Sequence, residues 1–283
     1  MFNLIKMDLY RLFHSLSTWV MLLAMVGVAF FCVAMTNDDL TAMQNDPAYM
    51  EQSLQIDNDT PHAGIIMETD PTWINGEIPA EDLIVLLINS AILLLCITVF
   101  VSIFVHAEQK NGYIKNIAGQ LPFRGLLAVS RLISIAVGIF LIFVVYLAAT
   151  FAAAYLFWGD RLVADSITTL WKILGTQYLL HLAFGSLVMF LCIAARNNIV
   201  SLCVGILMAC GIMNFVYTGI SQVIHAAGWK TFELGKYMLE TNVYQISGST
   251  STETFLRALI SGGVFLVLTV IGSAWIMQKR DIR

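Results

Sequence analysis

Six stretches of about twenty mostly apolar residues limit what this chain can become. They run over 17–36, 83–105, 132–157, 173–195, 199–220 and 255–277. A helix needs about 20 such residues to cross the roughly 30 Å hydrocarbon core of a bilayer. Within all six, only Arg257 carries a formal charge, and it lies at an edge from which its guanidinium can snorkel to the interface. Composition agrees: the chain is 58% hydrophobic and 12% charged, whereas globular domains have about 45–50% and about 25%. No ten-residue alternation recurs, as a membrane β-barrel would require. The expected fold class is all-α, a single polytopic membrane domain over 1–283 with six transmembrane helices. A net charge of −4 without a basic stripe leaves no footprint for nucleic acid.

The connections are 37–82, 106–131, 158–172, 196–198, 221–254 and the tail 278–283, and lysine and arginine orient them. One side holds ten basic residues: Lys6, Arg11, Lys110, Lys115, Arg124, Arg131, Arg196, Lys279, Arg280 and Arg283. The other holds five: Arg161, Lys172, Lys230, Lys236 and Arg257. Both termini are therefore expected in the cytoplasm of a multi-pass cell-membrane protein. Acidic residues agree, with 16 of 19 on the outer side. Residues 1–16 do not read as the start of a signal peptide, because the following apolar run is too long and lacks a small-residue cleavage site. Lipid attachment at Cys32 is disfavoured by the bulky Phe31 before it. All five cysteines lie within spans and read as packing residues, without disulfide or zinc spacing.

The span centres contain no Asp, Glu, Lys or Arg, which argues against an ion-coupled transporter. His181 is the imidazole at depth, with Asn89, Ser90, Thr98, Gln177, Ser186 and Asn214 as neutral polar companions. Such groups usually hydrogen-bond between helices for about 0.6 kcal/mol each. The alternative places Asn89, Gln177, His181 and Asn214 along a substrate path. An intramembrane serine hydrolase is disfavoured, because Ser186 and His181 stand about 140° apart around one helix. No H-E-x-x-H and no phosphate-binding G-x-x-x-x-G-K-[ST] occurs, so the chain is not expected to be an enzyme. Any uphill transport would need a partner to supply the energy.

Two inner segments carry more information. In 1–16, Phe2, Ile5, Leu9, Leu12, Phe13 and Leu16 recur at helical spacing, opposite Asn3, Lys6, Tyr10 and His14, with Arg11 near the edge. This predicts an amphipathic interfacial helix. It can serve as an elbow packed on the spans or as a plain anchor. In 106–131, Glu108, Lys110, Lys115 and Arg124 alternate with Gly112, Gly119 and Pro122. The preceding span is expected to continue to Glu108, with a turn at Gly112 and a short helix near 114–118. Such a knuckle can dock a cytosolic protein; a basic loop touching anionic lipid is the other reading.

Together these features resemble the permease subunits of type-2 ATP-binding-cassette (ABC) transporters. The resemblance rests on the N-terminal MFNLIKMDLYRLF helix, six spans, the inner-loop pattern Glu108, Gly112, Pro122 followed by Arg131, and the short basic end KRDIR. It covers essentially the whole chain. It implies that 106–120 forms a coupling helix, with Glu108, Lys110, Asn111, Gly112, Lys115 and Asn116 docking the ATPase. It also implies an elbow helix carrying Lys6 and Arg11. Implied partners are two cytosolic ABC ATPase subunits, a second permease copy or homologous permease, and membrane lipid. The chain itself would bind no cofactor or metal; ATP and magnesium would sit in the partner.

The outer connection 37–82 has 11 acidic and no basic residues. It could cap a cationic peptide, or its charge could serve only solubility and topology. Residues 229–240, WKTFELGKYMLE, predict a helix in the outer interface, within an external or re-entrant segment over 221–254. Small residues at 148–155 and Gly205 and Gly211 permit close helix contact, between subunits or within one. The expected function is export of a hydrophobic or amphipathic substrate (a peptide, antibiotic or lipid-like molecule), driven by the partner ATPase. The alternative is a non-transport sensor or scaffold whose acidic outer loop binds a ligand.

Overall fold

A computed structural model of the chain describes residues 2–46, 48–50, 69–110, 123–163, 167–195, 197–229, 231–247 and 250–279. Ten helices carry the architecture among these residues. They are α1 (Phe2–His14), α2 (Leu16–Asn45), α3 (Ala80–Ile88), α4 (Ala91–Lys110), α5 (Leu126–Trp158), α6 (Ile167–Ala195), α7 (Asn198–Ala209), α8 (Met213–Ala226), α9 (Leu239–Gln245) and α10 (Thr252–Lys279). Three short 3-10 turns, over Pro71–Ile74, Gly159–Arg161 and Leu234–Tyr237, punctuate the connections. The only strands described are Ile78–Pro79 and Leu162–Val163, paired in parallel with Ile78 opposite Leu162.

Four segments are long and apolar enough to cross a membrane unbroken: Leu16–Asn45, Leu126–Arg161, Leu170–Ala195 and Thr252–Lys279. Two further candidates are bent pairs. The helices α3 and α4 meet at 50°, and α7 and α8 meet at 75°. The chain is thus a helical membrane protein with four candidate spans, or six if each bent pair counts as one. The spans expected over 83–105 and 199–220 fall on these two bent pairs.

Each break has a local cause. At Asn89–Ser90 the Ser90 hydroxyl turns back onto the Leu87 carbonyl at 2.7 Å, competing with the helical ladder. The Asn89 side chain is drawn away into tertiary hydrogen bonds. Between α7 and α8, Gly211 adopts φ +69°, a left-handed conformation that costs glycine little. A side chain there would strain the backbone.

The helices outrun the predicted spans because polar ends continue them. The thirty residues of α2 extend about 45 Å at 1.5 Å each, more than the roughly 30 Å core. Its last turns carry Asn37, Asp38 and Asp39 into the polar zone. The centre of the bundle is α6, which buries Leu180, Ala183, Phe184, Val188 and Met189. It packs against α10, α4, α5 and α7, while α2 lies along α5. Within the small-residue tract of α5, Ala149, Ala153 and Ala154 are buried inside this one chain. Gly205 lets α7 approach α4 closely: a Cβ there would stand 2.6 Å from the Thr98 methyl.

The helix expected over 229–240 is corrected. Gly228 leaves α8 with φ +105°. The chain then runs irregularly to the Leu234–Tyr237 turn and becomes helical only at Leu239. His225 and Phe232 fasten this bend, with Nε2 of His225 2.7 Å from the Phe232 carbonyl.

Candidate functional site

Two polar junctions lie at opposite ends of the bundle. The near end is where α1 meets the start of α5 and the end of α10. The helix α1 forms as its periodicity predicts, and it packs against α5 and α2. The residues it buries are Leu4, Asp8 and Leu12, a stripe at spacing four. Phe2 and Leu16 of the predicted apolar face are exposed instead, positioned for lipid.

Asp8 accepts a hydrogen bond from Ser130 in the second turn of α5. The next residue, Arg131, is among the largest fully buried side chains, and its Nη1 lies 3.8 Å from the Met277 sulfur of α10. The Arg11 guanidinium lies 4.3 Å from the centre of the Phe104 ring of α4. The backbone N–H of Gly125 donates to the Gln278 side chain at 3.3 Å. Four elements thereby converge: α1, the end of α4, the start of α5 and the end of α10. Of the predicted elbow residues, Arg11 joins this junction and Lys6 is exposed on α1.

The predicted docking residues flank or fill the segment between α4 and α5. Glu108 and Lys110 fall in the last turn of α4 by backbone. Asn111, Gly112, Lys115 and Asn116, with the expected turn and short helix, lie outside the described residues. So does 51–68, within the acidic connection 37–82.

The far junction is organised by α9. Asn89, at the break between α3 and α4, donates to the Ile246 carbonyl at 2.8 Å and the Tyr244 carbonyl at 3.3 Å. Gln177 of α6 donates to the Asn89 side-chain oxygen at 2.6 Å and the Val243 carbonyl at 2.9 Å. One turn further along α6, Nδ1 of His181 lies 2.7 Å from the Gln177 carbonyl, so that nitrogen carries the proton. Its ring meets Phe143 edge-on at 5.0 Å.

On its other side α9 reaches the second break. The Tyr244 hydroxyl donates to the carbonyl of Ala209, the last residue of α7. Thr241 donates to Asn214 at 3.3 Å, and Tyr217 of α8 donates to the Glu240 carboxyl at 2.6 Å. Glu240 is fully buried. Burial pushes its carboxyl above the usual carboxylate range, opposed by the Tyr217 hydrogen bond.

The structure therefore brings three of the four predicted path residues together. Asn89, Gln177 and His181 form one connected set, while Asn214 belongs to the α8 side of α9. Their partners are overwhelmingly backbone carbonyls, as in interhelical hydrogen bonding. Ser186 is engaged elsewhere, 2.7 Å from Thr269 of α10 and 2.7 Å from its own Ala183 carbonyl.

Two central residues escaped the sequence reading. Asp8 and Glu240 sit in terminal or connecting segments by sequence yet are buried, as is Arg131, which the sequence marked only for its place after the inner loop. The Leu4–Asp8–Leu12 spacing was a signal for Asp8, since it places the acid in an apolar stripe. Glu240, between Leu239 and Val243, carried a weaker signal of the same kind. Among the described residues, no group of three or more His, Cys, Asp or Glu could hold a metal ion. The five cysteines are free, with Cys203 exposed. No protein-family model matches the chain, and no curated protein matches it.

Proposed function

We propose that this chain is the membrane-spanning permease subunit of an ABC exporter. Each bent pair then counts as one span, giving six, with the near end in the cytoplasm and α9 near the outer face. Two cytosolic ATPase subunits hydrolyse ATP with magnesium, and a second permease copy or a homologous permease completes the path. The cargo is hydrophobic or amphipathic, in keeping with span centres that carry no formal charge.

The observation that carries this reading is the near junction. Force applied to the segment between α4 and α5 enters the bundle where both helix ends are tied to α1. Phe104 of α4 is covered by Arg11, and Ser130 of α5 is held by Asp8. A chain that only anchors itself has no need to join an interfacial helix to both flanks of one inner loop. A chain driven from that loop does, because movement must reach several helices at once.

The test is copurification of the tagged chain with an ATPase expressed from a neighbouring gene. Glu108→Ala and Gly112→Pro should weaken that association or uncouple ATP hydrolysis from transport. If drastic changes across 106–120 leave both assembly and turnover untouched, the docking assignment fails. Purified alone in vesicles, the chain should not concentrate any solute on a proton or sodium gradient; if it does, the reading fails outright.

A further inference from the structure

The short helix α9 reaches both broken helices through polar contacts, while its Leu239 and Val243 are buried in the apolar core. It offers the carbonyls of Val243, Tyr244 and Ile246 region to Gln177 and Asn89 on one side. On the other it reaches Ala209, Asn214 and Tyr217. The break at Asn89–Ser90 and the break at Gly211 are thus fastened to the same seven residues. Most of these fastenings cannot change charge. Glu240 can, and with Thr241 it is one of the two fastenings from α9 to α8.

We propose that Glu240 is a proton-binding site that bolts α9 to α8, closed when the carboxyl is protonated and released when it ionises. One carboxyl oxygen, Oε1, receives the Tyr217 hydroxyl; the other, Oε2, is buried without a partner. A charged carboxylate with an unpartnered oxygen is costly to keep dry, whereas the neutral acid is cheap. Ionisation therefore favours any arrangement that lets water reach the group. Unpartnered buried acceptors also occur on Asn242 two residues along α9 and on Gln177 of α6, adding to the pull for water at this helix.

Among the described residues, no cation is paired with Glu240 from the surrounding elements. On the Leu234–Tyr237 turn, Lys236 pairs with Glu233 at 2.9 Å. On α10, Arg257 donates to Gln245 at 3.0 Å, with Glu253 a turn before it. On α6 the titratable groups are Lys172, which is exposed, Tyr178, which donates to the Ala136 carbonyl, His181, engaged with the Gln177 carbonyl, and Cys192, near the other end of the helix beside Ser201. On α8 they are Tyr217 itself and His225, held at Phe232. Tyr244 lies one turn along α9, and Cys210 sits at the break beside Ala209.

The sign follows from burial. Because burial raises the folded-state value of Glu240, the closed contact is fully present below the ordinary carboxylate value of about 4.3. It weakens as pH rises through the raised value. As a gate, the device rests on the transport reading above. Its assay needs neither ATPase nor substrate, so the two can fail separately.

The experiment is hydrogen–deuterium exchange on the full chain in lipid nanodiscs, corrected for the intrinsic pH dependence of exchange. Wild type should lose protection over 213–221 and 239–245 as pH rises, by about tenfold for each unit separating the two pKa values. Glu240→Gln should stay protected and flat with pH. Tyr217→Phe, which keeps the ring but removes the donor of the bolt, should be less protected over 213–221 than wild type at low pH, and its remaining transition should lie at higher pH. The proposal is overturned if wild type and Glu240→Gln show the same profile, or if Tyr217→Phe leaves the transition where it was.

Discussion

The near junction is held by groups with full formal charge, and the far junction by amides, hydroxyls and backbone carbonyls around one carboxyl. Arg11, Asp8 and Arg131 stand near helix ends, and Asp8 and Arg131 are buried there. A buried charge needs close polar partners to offset its desolvation. Asn89, at one break, and Gln177 of α6 serve carbonyls at the end of α9, and Tyr244 of α9 serves the Ala209 carbonyl at the other break, groups that helix ends leave without a donor. Charge fixes how helix ends are held; helix breaks dictate what must be held inside.

The largest effect should come from Asn89→Ala. Three hydrogen bonds vanish together, two to carbonyls and one from Gln177. At about 0.6 kcal/mol each in a membrane the loss is about 2 kcal/mol. At the ordinary value near 1 kcal/mol each it is about 3 kcal/mol. Thermal unfolding in detergent should drop accordingly, and the protection of 239–245 should fall more than that of the near end. A uniform loss along the molecule would erase the distinction between the junctions.

Asp8→Ala should come next, at about 2 kcal/mol. The lost bond is charge-assisted, worth about 1.5–3 kcal/mol, and Ser130 is fully buried, so its hydroxyl is left without its acceptor. Here exchange should rise in α1 and at the start of α5, with α9 unchanged. Asp8→Asn keeps an acceptor and should recover about half the loss. If Asn is as poor as Ala, the negative charge itself matters, and the near junction is more electrostatic than its hydrogen bond alone indicates.

These two sites also mark what could be read from the sequence. The apolar runs announced the membrane and most helix positions, because crossing hydrocarbon demands length and hydropathy whatever the tertiary structure. The amphipathic period of 1–16 announced α1. Neither signal locates a break. Asn89–Ser90 is a polar pair inside an apolar run, and only the presence of α9, more than 150 residues later in the chain, gives Asn89 its partners. Likewise Gly211 permits a left-handed turn but does not require one. The sequence pattern passes over Asp8 because it divides 1–16 into a lipid face and a water face, whereas one stripe of α1 faces protein. The pairing of Glu240 with Tyr217 joins two segments 23 residues apart through an irregular bend that periodicity cannot see.

The smallest effect is expected from Arg161, which borrows the logic of both junctions without the burial of either. Its guanidinium donates to the carbonyls of Trp73, Ile74 and Gly76, tying the turn at Pro71–Ile74 to the end of α5. Trp158 reinforces the same corner by donating to Asn37 at 3.1 Å. Arg161 is exposed, so water can replace much of what it supplies, and Arg161→Ala should cost no more than about 1 kcal/mol. The thermal midpoint should barely move. Limited proteolysis between 69 and 79 should nevertheless speed up, because opening of this corner is local and does not require the bundle to unfold. Should the midpoint fall as far as it does for Asn89→Ala, charge at an exposed corner would matter as much as hydrogen bonds at a buried break, and the contrast between the two ends of the molecule would be lost.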